Sequence, residues 1–297
     1  MFSIDQAVAQ IPEWRDRPIE IQPLGGGLTN SNFLVRVDGA PHFVRIPGES
    51  TELLAIDREN EIHNSRAAAE AGVAPRLLHV IPGANVMVFE FIRGQTMSPA
   101  TLQAPGMPSR IARSMKRLHA GRRFLKDFNM FRLVEFYLQM AETHGVPIYP
   151  DYRDHLPALG RIEQAMRRHP LPTVPCHNDL LGENMIDDGR QLWLIDFEYS
   201  GNNDPCFELG NTCQELQYND EQYAELCAAY FGQATASHLA RMRLFALMSD
   251  VGWTLWGAIQ SEISKLDIDF WDYGLTRWRR ALGILNGPDL ERWIGEA

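Results

Sequence analysis

The chain has 297 residues, of which 45% are hydrophobic and 22% are charged, an ordinary composition for a globular protein. This length suggests two domains or lobes. The formal net charge of -10 argues against nucleic acid as a partner and mildly favours a cationic ligand, although most moderately acidic proteins are simply soluble.

The cysteines and the apolar stretches narrow the class further. None of the cysteines forms a Cys-x-x-Cys pair or has histidines at zinc spacing, so we expect reduced, mostly buried thiols at Cys176, Cys206, Cys213 and Cys227. Residues 1–10 lack the basic and apolar regions of a secretory signal. The most apolar stretch, residues 244–259, is broken by Asp250 and is too short and polar to span a bilayer. We therefore expect a cytoplasmic protein with no membrane partner.

The first part of the chain reads as strands plus one helix. Residues 57–71 have helical composition and are followed by Gly72. Short apolar runs bounded by Gly, Pro and Asp predict strands at residues 19–24, 33–37, 42–46, 75–80 and 85–92. These elements predict a small β-rich lobe over residues 1–93.

After residue 94 the apolar spacing becomes helical. It predicts helices at residues 108–120, 131–143, 154–168, 220–231, 236–264 and 270–285. One strand-like interruption is expected, at residues 175–196. Together with the small lobe, this second lobe over residues 94–297 predicts a two-lobed α+β architecture.

The strand-like interruption carries the most informative motif. It reads His-Asn-Asp-Leu-Leu-Gly-Glu-Asn at residues 177–184, followed by Leu-Ile-Asp-Phe-Glu at residues 194–198. This is the spacing of a kinase catalytic loop and its metal-holding aspartate. Asp179 is the candidate proton acceptor for a hydroxyl, and Asn184 and Asp196 offer the hard oxygen ligands that Mg²⁺ prefers.

Each of these residues has a simpler explanation when it is taken alone. An aspartate after an apolar strand often caps a loop, and Asp187 and Asp188 read as residues of a hairpin turn. His177 is expected to be structural and to bond backbone groups of the loop. The joint spacing of Asp179, Asn184 and Asp196 is what favours phosphoryl transfer.

Matching parts for a nucleotide occur in the small lobe. The Gly-rich residues 25–32 lie between two strands, where backbone amides can approach phosphates, although glycines there are usually just a turn. Arg45 lies where a kinase keeps its phosphate-contacting lysine, and Glu61 or the competing Glu59 is its expected partner. Backbone groups near Glu90 and Ile92 are expected to bind an adenine edge.

Together these residues resemble the choline/ethanolamine kinase family, within the wider aminoglycoside-phosphotransferase-like kinases. The similar segments are Gly-Gly-Leu-Thr-Asn at 26–30, Val-Arg-Ile at 44–46, Ile-Asp-Phe-Glu-Tyr at 195–199 and Glu-Leu-Gly-Asn at 208–211. The resemblance implies a bilobal protein-kinase-like fold, Asp179 as the base, and Mg²⁺ on Asn184 and Asp196. It also implies ATP binding by Arg45 and by the Gly-rich loop, at Gly26, Gly27, Thr29, Asn30 and Ser31.

The resemblance also suggests an acceptor site near the C-terminus. Trp253 and Trp256 lie one helical turn apart, and the family's order implies an aromatic cage for a quaternary ammonium formed by Trp253, Trp256, Phe270 and Tyr273, with Glu215 adding charge and Tyr218 lining it. The simpler explanation is that two tryptophans at this spacing belong to a helix core.

Two departures from the family pattern stand out. Glu208 replaces the family's usual aspartate and is interpreted as structural. The segment Leu180, Leu181 and Gly182 is less polar than the loop of many choline kinases. The expected reaction is ATP- and Mg²⁺-dependent phosphorylation of choline. Ethanolamine, thiamine or an aminoglycoside as acceptor, and a non-catalytic amine-binding module, stay open, and the oligomeric state is not predicted.

Overall fold

The computed structural model describes residues 2–25, 27–48 and 51–297, so Gly26 lies outside the described residues. The small lobe is built on an antiparallel five-stranded sheet with the order β1-β2-β3-β5-β4. The strands are β1 (Ile19–Leu24), β2 (Asn30–Val37), β3 (Ala40–Pro47), β4 (Leu77–Ile81) and β5 (Val86–Glu90). All five predicted strands of this lobe are present.

Two helices accompany this sheet. The predicted one is α2 (Arg58–Glu70), which the Asp57 side chain caps by accepting from the Asn60 amide. A shorter helix, α1 (Ile4–Ala9), precedes the sheet and was not predicted. Its signal is local, because Ser3 and Gln6 form a capping box while only Ala7 is buried. A six-residue helix with one buried residue leaves no clear apolar periodicity in the sequence.

The larger lobe is mainly helical. Its helices are α3 (Pro99–Leu102), α4 (Met107–His119), α5 (Met130–His144), α6 (Leu156–Arg168), α7 (Pro205–Glu215), α8 (Asp220–Phe231), α9 (Ala236–Ile263), α10 (Phe270–Leu285) and α11 (Leu290–Glu296). The long α9 runs through the core of the lobe and packs against α5, α7, α10 and α11. Among the described residues, no helix is both long and apolar enough to cross a bilayer.

Short strands carry the motif region between α6 and α7. β6 (Gln95–Thr96), β8 (Met185–Asp187) and β9 (Leu192–Leu194) form one small antiparallel sheet, while β7 (Val174–Cys176) pairs with β10 (Gly201–Asn203). The prediction of a single strand-like interruption at residues 175–196 was therefore wrong, because two further strands lie outside it. β10 lies beyond residue 196, and β6 lies near the connection between the lobes.

The most consequential helix that the sequence analysis missed is α7. Asp204 caps it and Pro205 occupies its first turn, both ordinary start signals. Its residues 205–213 are all buried, so no exposed polar face produces a helical period. α7 carries Glu208 and Glu215, and it therefore positions two of the residues that the sequence singled out.

Two apolar clusters form the core. The small-lobe cluster contains Trp14, Val35 and Val88, and the main cluster fills the large lobe. Ala67 and Ala68 of α2 belong to the main cluster, so α2 packs toward the large lobe. The boundary after residue 93 stays a prediction. The four cysteines are all free and buried.

Candidate active site

The loop between β7 and β8 brings the predicted catalytic residues together. Asn184 donates from Nδ2 to the backbone carbonyl of Asp179 over 2.8 Å. The Ile195 amide donates to the Asn184 carbonyl over 3.0 Å, which places the end of β9 against the loop. This hydrogen bond uses the side-chain nitrogen of Asn184, so the side-chain oxygen of Asn184 stays available for a cation.

The backbone of this region is conformationally unusual. Asn178 and Asp196 both adopt left-handed conformations, with φ of 68° and 71°. Such conformations cost free energy in residues other than glycine and persist where the surroundings fix them. Here a hydrogen-bond network holds Asn178, whose Nδ2 donates to the Tyr199 carbonyl over 3.0 Å. Asn178, which precedes the proposed base, is therefore held in a costly conformation by its neighbours, and the predicted metal ligand Asp196 adopts a similar one.

Burial and neighbouring charges disfavour the ionised form of Asp179. Burial raises the pKa of Asp179 well above its ordinary value, and the negative charges of Asp196, Glu215 and Glu198 raise it further. The positive charge of Arg277 acts in the opposite direction on this pKa. A divalent cation beside Asp196 would favour the ionised carboxylate, the form that accepts a proton.

Arg45 joins the small lobe to the end of β9. It forms an ion pair with Glu61 of α2, and its Nη2 lies 2.8 Å from Asp196 Oδ1. The partner of Arg45 is thus Glu61 and not Glu59. Burial alone would lower the pKa of Arg45. The negative charges of Asp196, Glu61 and Glu198 outweigh the effect of burial, so the net pKa is raised and Arg45 stays charged. Arg45 therefore presents a fixed positive charge beside the predicted cation ligand.

Glu198 is the centre of a second contact between the lobes. It accepts from Thr29 Oγ1 over 2.7 Å and from Asn30 Nδ2 over 3.0 Å, and Arg58 Nη1 lies 3.3 Å away. Burial, together with Asp196 and Glu61, raises the pKa of Glu198 to about 7. The Gly-rich segment is consequently anchored to the residue two positions beyond Asp196.

The donor set fits a hard divalent cation. Carboxylate oxygens of Glu61, Asp196 and Glu198 lie within 4.8 Å of one another, and Asn184 lines the same cavity as Asp196. Mg²⁺ in proteins typically takes one or two such oxygens and completes its shell with water and phosphate. That Asn184 and Asp196 hold the cation stays a prediction.

A cavity of about 420 Å³ opens between the lobes at this cation site. Its lining includes Gly27, Arg45, Asn184 and Asp196, and Glu90 and Ile92 contribute from the connector between the lobes. Its walls are largely apolar and include Leu24, Phe43, Phe89, Phe91, Ile186 and Ile195. An apolar slot that also carries charged groups suits a nucleotide, with the base against the apolar walls and the phosphates at the charged groups.

The predicted nucleotide residues do not all line this cavity. Thr29 and Asn30 point instead to Glu198. Ser31 pairs with Ile46 in the β2–β3 ladder, and Glu61 acts through Arg45. The apolar walls were missed because isolated Phe and Ile residues carry no motif in a sequence.

Glu208 of α7 binds backbone amides at the start of the catalytic loop. The fully buried carboxylate accepts from the backbone amides of His177 and Asn178, and it bonds His119 Nε2. His177 Nε2 donates to the Ile195 carbonyl over 2.7 Å. Burial lowers the pKa of His177, which keeps the ring neutral. Both residues hold the loop against the end of β9, as the structural interpretation of Glu208 and His177 predicted.

The apolar part of the loop has a packing role. Leu180 is fully buried in the main cluster. Gly182 lies against the start of α3, where an added Cβ would come within 2.8 Å of the Ser98 carbonyl carbon. A side chain at residue 182 would therefore push the loop away from α3. Burial accounts for Leu180 and the close contact accounts for Gly182.

Aromatic side chains gather beside the loop on α9 and α10. Trp256 Nε1 donates to the Tyr199 hydroxyl over 2.8 Å, and the Trp256 ring lies 5.7 Å from Phe270 and 5.5 Å from Tyr273. The Trp253 ring packs edge-on against Tyr199 at 4.8 Å. Trp253, Trp256 and Phe270 are buried, at 4%, 4% and 2% exposure. The predicted aromatic group is thus a real cluster, and it includes Tyr199, which was not predicted.

Close helix packing produces this cluster. An added Cβ on Gly257 of α9 would lie 2.9 Å from the Gly274 Cα of α10. Two glycines facing each other let the helices approach closely. Trp256 and Tyr273 precede these glycines, so the close crossing presses their rings together.

The predicted acidic residue is already paired. Glu215 Oε2 lies 2.8 Å from Arg277 Nη2, and the Arg277 guanidinium lies 3.7 Å from the centre of the Tyr273 ring. Tyr218 donates its hydroxyl to the Leu102 carbonyl over 2.9 Å, so that hydroxyl points to α3. Arg277 was missed because it is one of three arginines on α10, and the sequence does not show which of them faces Glu215.

Comparisons with known proteins identify relatives of this chain. The family model described as Choline/ethanolamine kinase matches residues 21–281. Mouse ethanolamine kinase 2 is 28% identical over 91% of this chain and 77% of its own length. A choline/ethanolamine kinase family protein from Mesorhizobium loti has a crystal structure that is 36% identical, with a TM-score of 0.85 and 98% coverage of both chains.

A solved choline kinase, LicA from Streptococcus pneumoniae, has the same fold. It is 23% identical to this chain, covers 95% of it and 98% of its own length, and gives a TM-score of 0.81. The bilobal protein-kinase-like α+β fold expected from the sequence is confirmed by these structural matches.

Proposed function

This chain belongs to the choline/ethanolamine kinase family, a family of phosphotransferases with alcohol acceptors, and on that premise we propose that it transfers the γ-phosphoryl group of ATP to the hydroxyl of choline. The observation that carries the proposal is that Asn184 and Asp196 meet in the lining of the cavity between the lobes, while Asp179 is bonded to Asn184 through its backbone carbonyl. Mg²⁺ bound at Asn184 and Asp196 would neutralise charge on the phosphates of the nucleotide.

The residues of the chain divide the work of the reaction. The apolar slot holds the adenine, and backbone groups near Glu90 and Ile92 contact its edge. Arg45 supplies a fixed positive charge to the phosphates. The hydroxyl oxygen of the acceptor bonds to the γ-phosphorus as ADP leaves, and Asp179 accepts the proton of that hydroxyl.

The acceptor is assigned to the aromatic cluster beside Asp179. The pKa of Tyr273 is raised, first by burial and also by the charges of Glu215 and Asp179, so Tyr273 lies within electrostatic reach of the proposed base. Ring faces attract a quaternary ammonium, which has no hydrogen-bond donors on nitrogen. An amino alcohol with its cation at the rings would direct its hydroxyl toward Asp179.

The direct test is turnover of ATP by the purified protein with Mg²⁺ and millimolar choline. We expect phosphocholine and ADP in equal amounts. The acceptor site is tested by Trp253→Ala, for which we expect a rise of roughly 30-fold in the KM for choline, because a desolvated cation–π contact is worth about 2 kcal/mol. The absence of phosphocholine above background would contradict the choline assignment.

Ethanolamine is the second candidate acceptor, and the mouse relative that is named ethanolamine kinase 2 favours it. A primary ammonium requires carboxylates more than rings. If Trp253→Ala left choline turnover unchanged while Glu215→Gln abolished activity, ethanolamine would replace choline as the proposed acceptor. A thermal-shift panel of amines is the first measurement, because a bound ligand stabilises the folded state.

Arg45 provides a separate test of the nucleotide site. Arg45→Lys keeps the charge but loses the planar fork that reaches both Glu61 and Asp196. We expect the KM for ATP to rise by roughly tenfold while the KM for the acceptor changes little, since one charge-assisted hydrogen bond is worth about 1.5–3 kcal/mol. Steady-state kinetics with each substrate varied in turn measure both constants. Equal rises in the two KM values would contradict this role.

A further inference from the structure

Arg277 contacts two of the groups that were predicted to hold the cation of the acceptor, the ring of Tyr273 and the carboxylate of Glu215. Its guanidinium lies over the Tyr273 ring at 3.7 Å, and its Nη2 lies 2.8 Å from Glu215 Oε2. The residue is 8% exposed. It also acts on Asp179, whose pKa its charge lowers, so it lies within electrostatic reach of the proposed base. A positive charge belonging to the protein therefore lies within the predicted acceptor site.

The remaining charges around Arg277 are balanced. Arg280 Nη2 lies 3.4 Å from Glu215 Oε1, and the same guanidinium pairs with Asp250, which is fully buried on α9. Gln214 Nε2 donates to the other oxygen of Asp250 over 2.5 Å. Two arginines thus face two carboxylates, and each oxygen of Glu215 has an arginine partner.

This balance has opposite consequences for two kinds of amine. A primary ammonium has three N–H donors that need acceptors, and leaving them unpaired in a buried site costs free energy. The Glu215 oxygens are already engaged by Arg277 and Arg280. A methylated ammonium has no such donors and gains from ring faces and from burial of its methyl groups. The site as built therefore disfavours the primary amine.

The Nε of Arg277 is buried and has no hydrogen-bond partner among the described residues. A purely structural ion pair between α7 and α10 would gain nothing from this unsatisfied donor. The arginine is nevertheless held in place by a carboxylate on one side and a ring face on the other. This arrangement points to a role in the acceptor site itself.

We propose that Arg277 determines which amine the enzyme accepts, because it engages the carboxylate of Glu215 and so leaves an incoming ammonium only the remaining ring faces of the aromatic cluster, which suit a methylated amine. The proposal rests on the kinase function proposed above. Arg277 is a positioning and specificity residue that acts through Glu215, and the reaction chemistry stays with Asp179.

The test compares choline with ethanolamine in wild type and in Arg277→Met. Removing the guanidinium leaves Glu215 to attract the primary ammonium with charge-assisted hydrogen bonds. We expect the ratio of kcat/KM for ethanolamine to that for choline to rise at least tenfold. Most of the change should appear in the KM for ethanolamine. In the double variant Glu215→Gln with Arg277→Met, the carboxylate is absent and the ratio should fall back toward the wild-type value.

Two further variants keep the test decisive. Arg279→Met removes one positive charge from an exposed position of the same helix and should leave the ratio unchanged. Arg277→Gln retains a donor to Glu215 without the charge, and it serves if Arg277→Met does not fold, with the ratio again expected to rise. Melting temperatures identify variants that only lose stability.

The outcomes separate this proposal from the function on which it rests. Turnover of neither amine by the wild type would contradict the proposed kinase function. Wild-type turnover with a ratio that Arg277→Met and Arg277→Gln leave unchanged would contradict the role of Arg277 alone. An equal loss of affinity for both amines would likewise identify the ion pair with Glu215 as merely structural.

Discussion

Replacing Asp179 by Asn is expected to lower kcat for phosphoryl transfer by about 10²–10⁴-fold, the usual range for removal of a general base. The exchange preserves the size of the side chain and leaves the backbone carbonyl that Asn184 contacts unchanged. Nucleotide binding should therefore persist. The measurement is single-turnover formation of the phosphorylated acceptor, paired with direct titration of ATP and Mg²⁺.

The matched control is Asp188→Asn, the same exchange in the hairpin that follows the loop. Asp188 holds that turn by accepting from the amides of Arg190 and Gln191, and an Asn oxygen can accept the same bonds. Its kcat should stay close to that of wild type. Full activity in Asp179→Asn would exclude Asp179 as the base. A parallel loss of nucleotide affinity would instead indicate damage to the loop.

The sequence was sufficient for the catalytic loop because its geometry is local. Asp179 and Asn184 are separated by one tight loop, and the hairpin from β8 to β9 returns Asp196 to the same place. Spacing alone encodes such an arrangement. Arg45 and Glu61 lie further apart in the chain, and resemblance to a family supplied what spacing did not.

Contacts between distant elements could not be read in the same way. Glu198 accepts hydrogen bonds from Thr29 and Asn30 of the small lobe and pairs with Arg58. No pattern in the sequence predicts the contact with Arg58. Glu215 illustrates the same limit. It was predicted to face a ligand, but its partners Arg277 and Arg280 lie on a helix more than 60 residues away. Ion pairs of this kind depend on helix packing, which leaves no period in the sequence.

The tryptophans show that core packing and ligand binding are compatible explanations. Trp253 and Trp256 are nearly fully buried, as ordinary core packing predicts. The indole N–H of Trp256 nevertheless donates to the hydroxyl of Tyr199, a residue of the segment that follows Asp196. The same rings that complete the core of α9 therefore border the catalytic segment, and burial by itself does not separate the two roles.

Glu208→Ala is expected to destabilise the protein by about 3–5 kcal/mol, the usual cost of breaking a buried charged pair. The change would leave the amides of His177 and Asn178 and the ring of His119 without their shared acceptor. Urea unfolding followed by tryptophan fluorescence measures the loss. Glu208→Gln, which keeps an acceptor oxygen, should lose less. Equal stability of Glu208→Ala and wild type would show that the loop does not depend on this carboxylate.

The pH dependence of that loss identifies its cause. Burial raises the pKa of Glu208, but the charge and hydrogen bond of His119, with smaller contributions from His177, more than reverse it, so the net pKa is lowered. A carboxylate with a lowered pKa stabilises the fold above its unfolded pKa of about 4.3 and loses that stabilisation as the pH falls toward its folded pKa. The stability difference between wild type and Glu208→Gln should therefore be constant from neutral pH down to about 5 and should shrink below about 4.3. A difference that did not change with pH would mean that Glu208 acts through the shape of its hydrogen bonds and not through its charge.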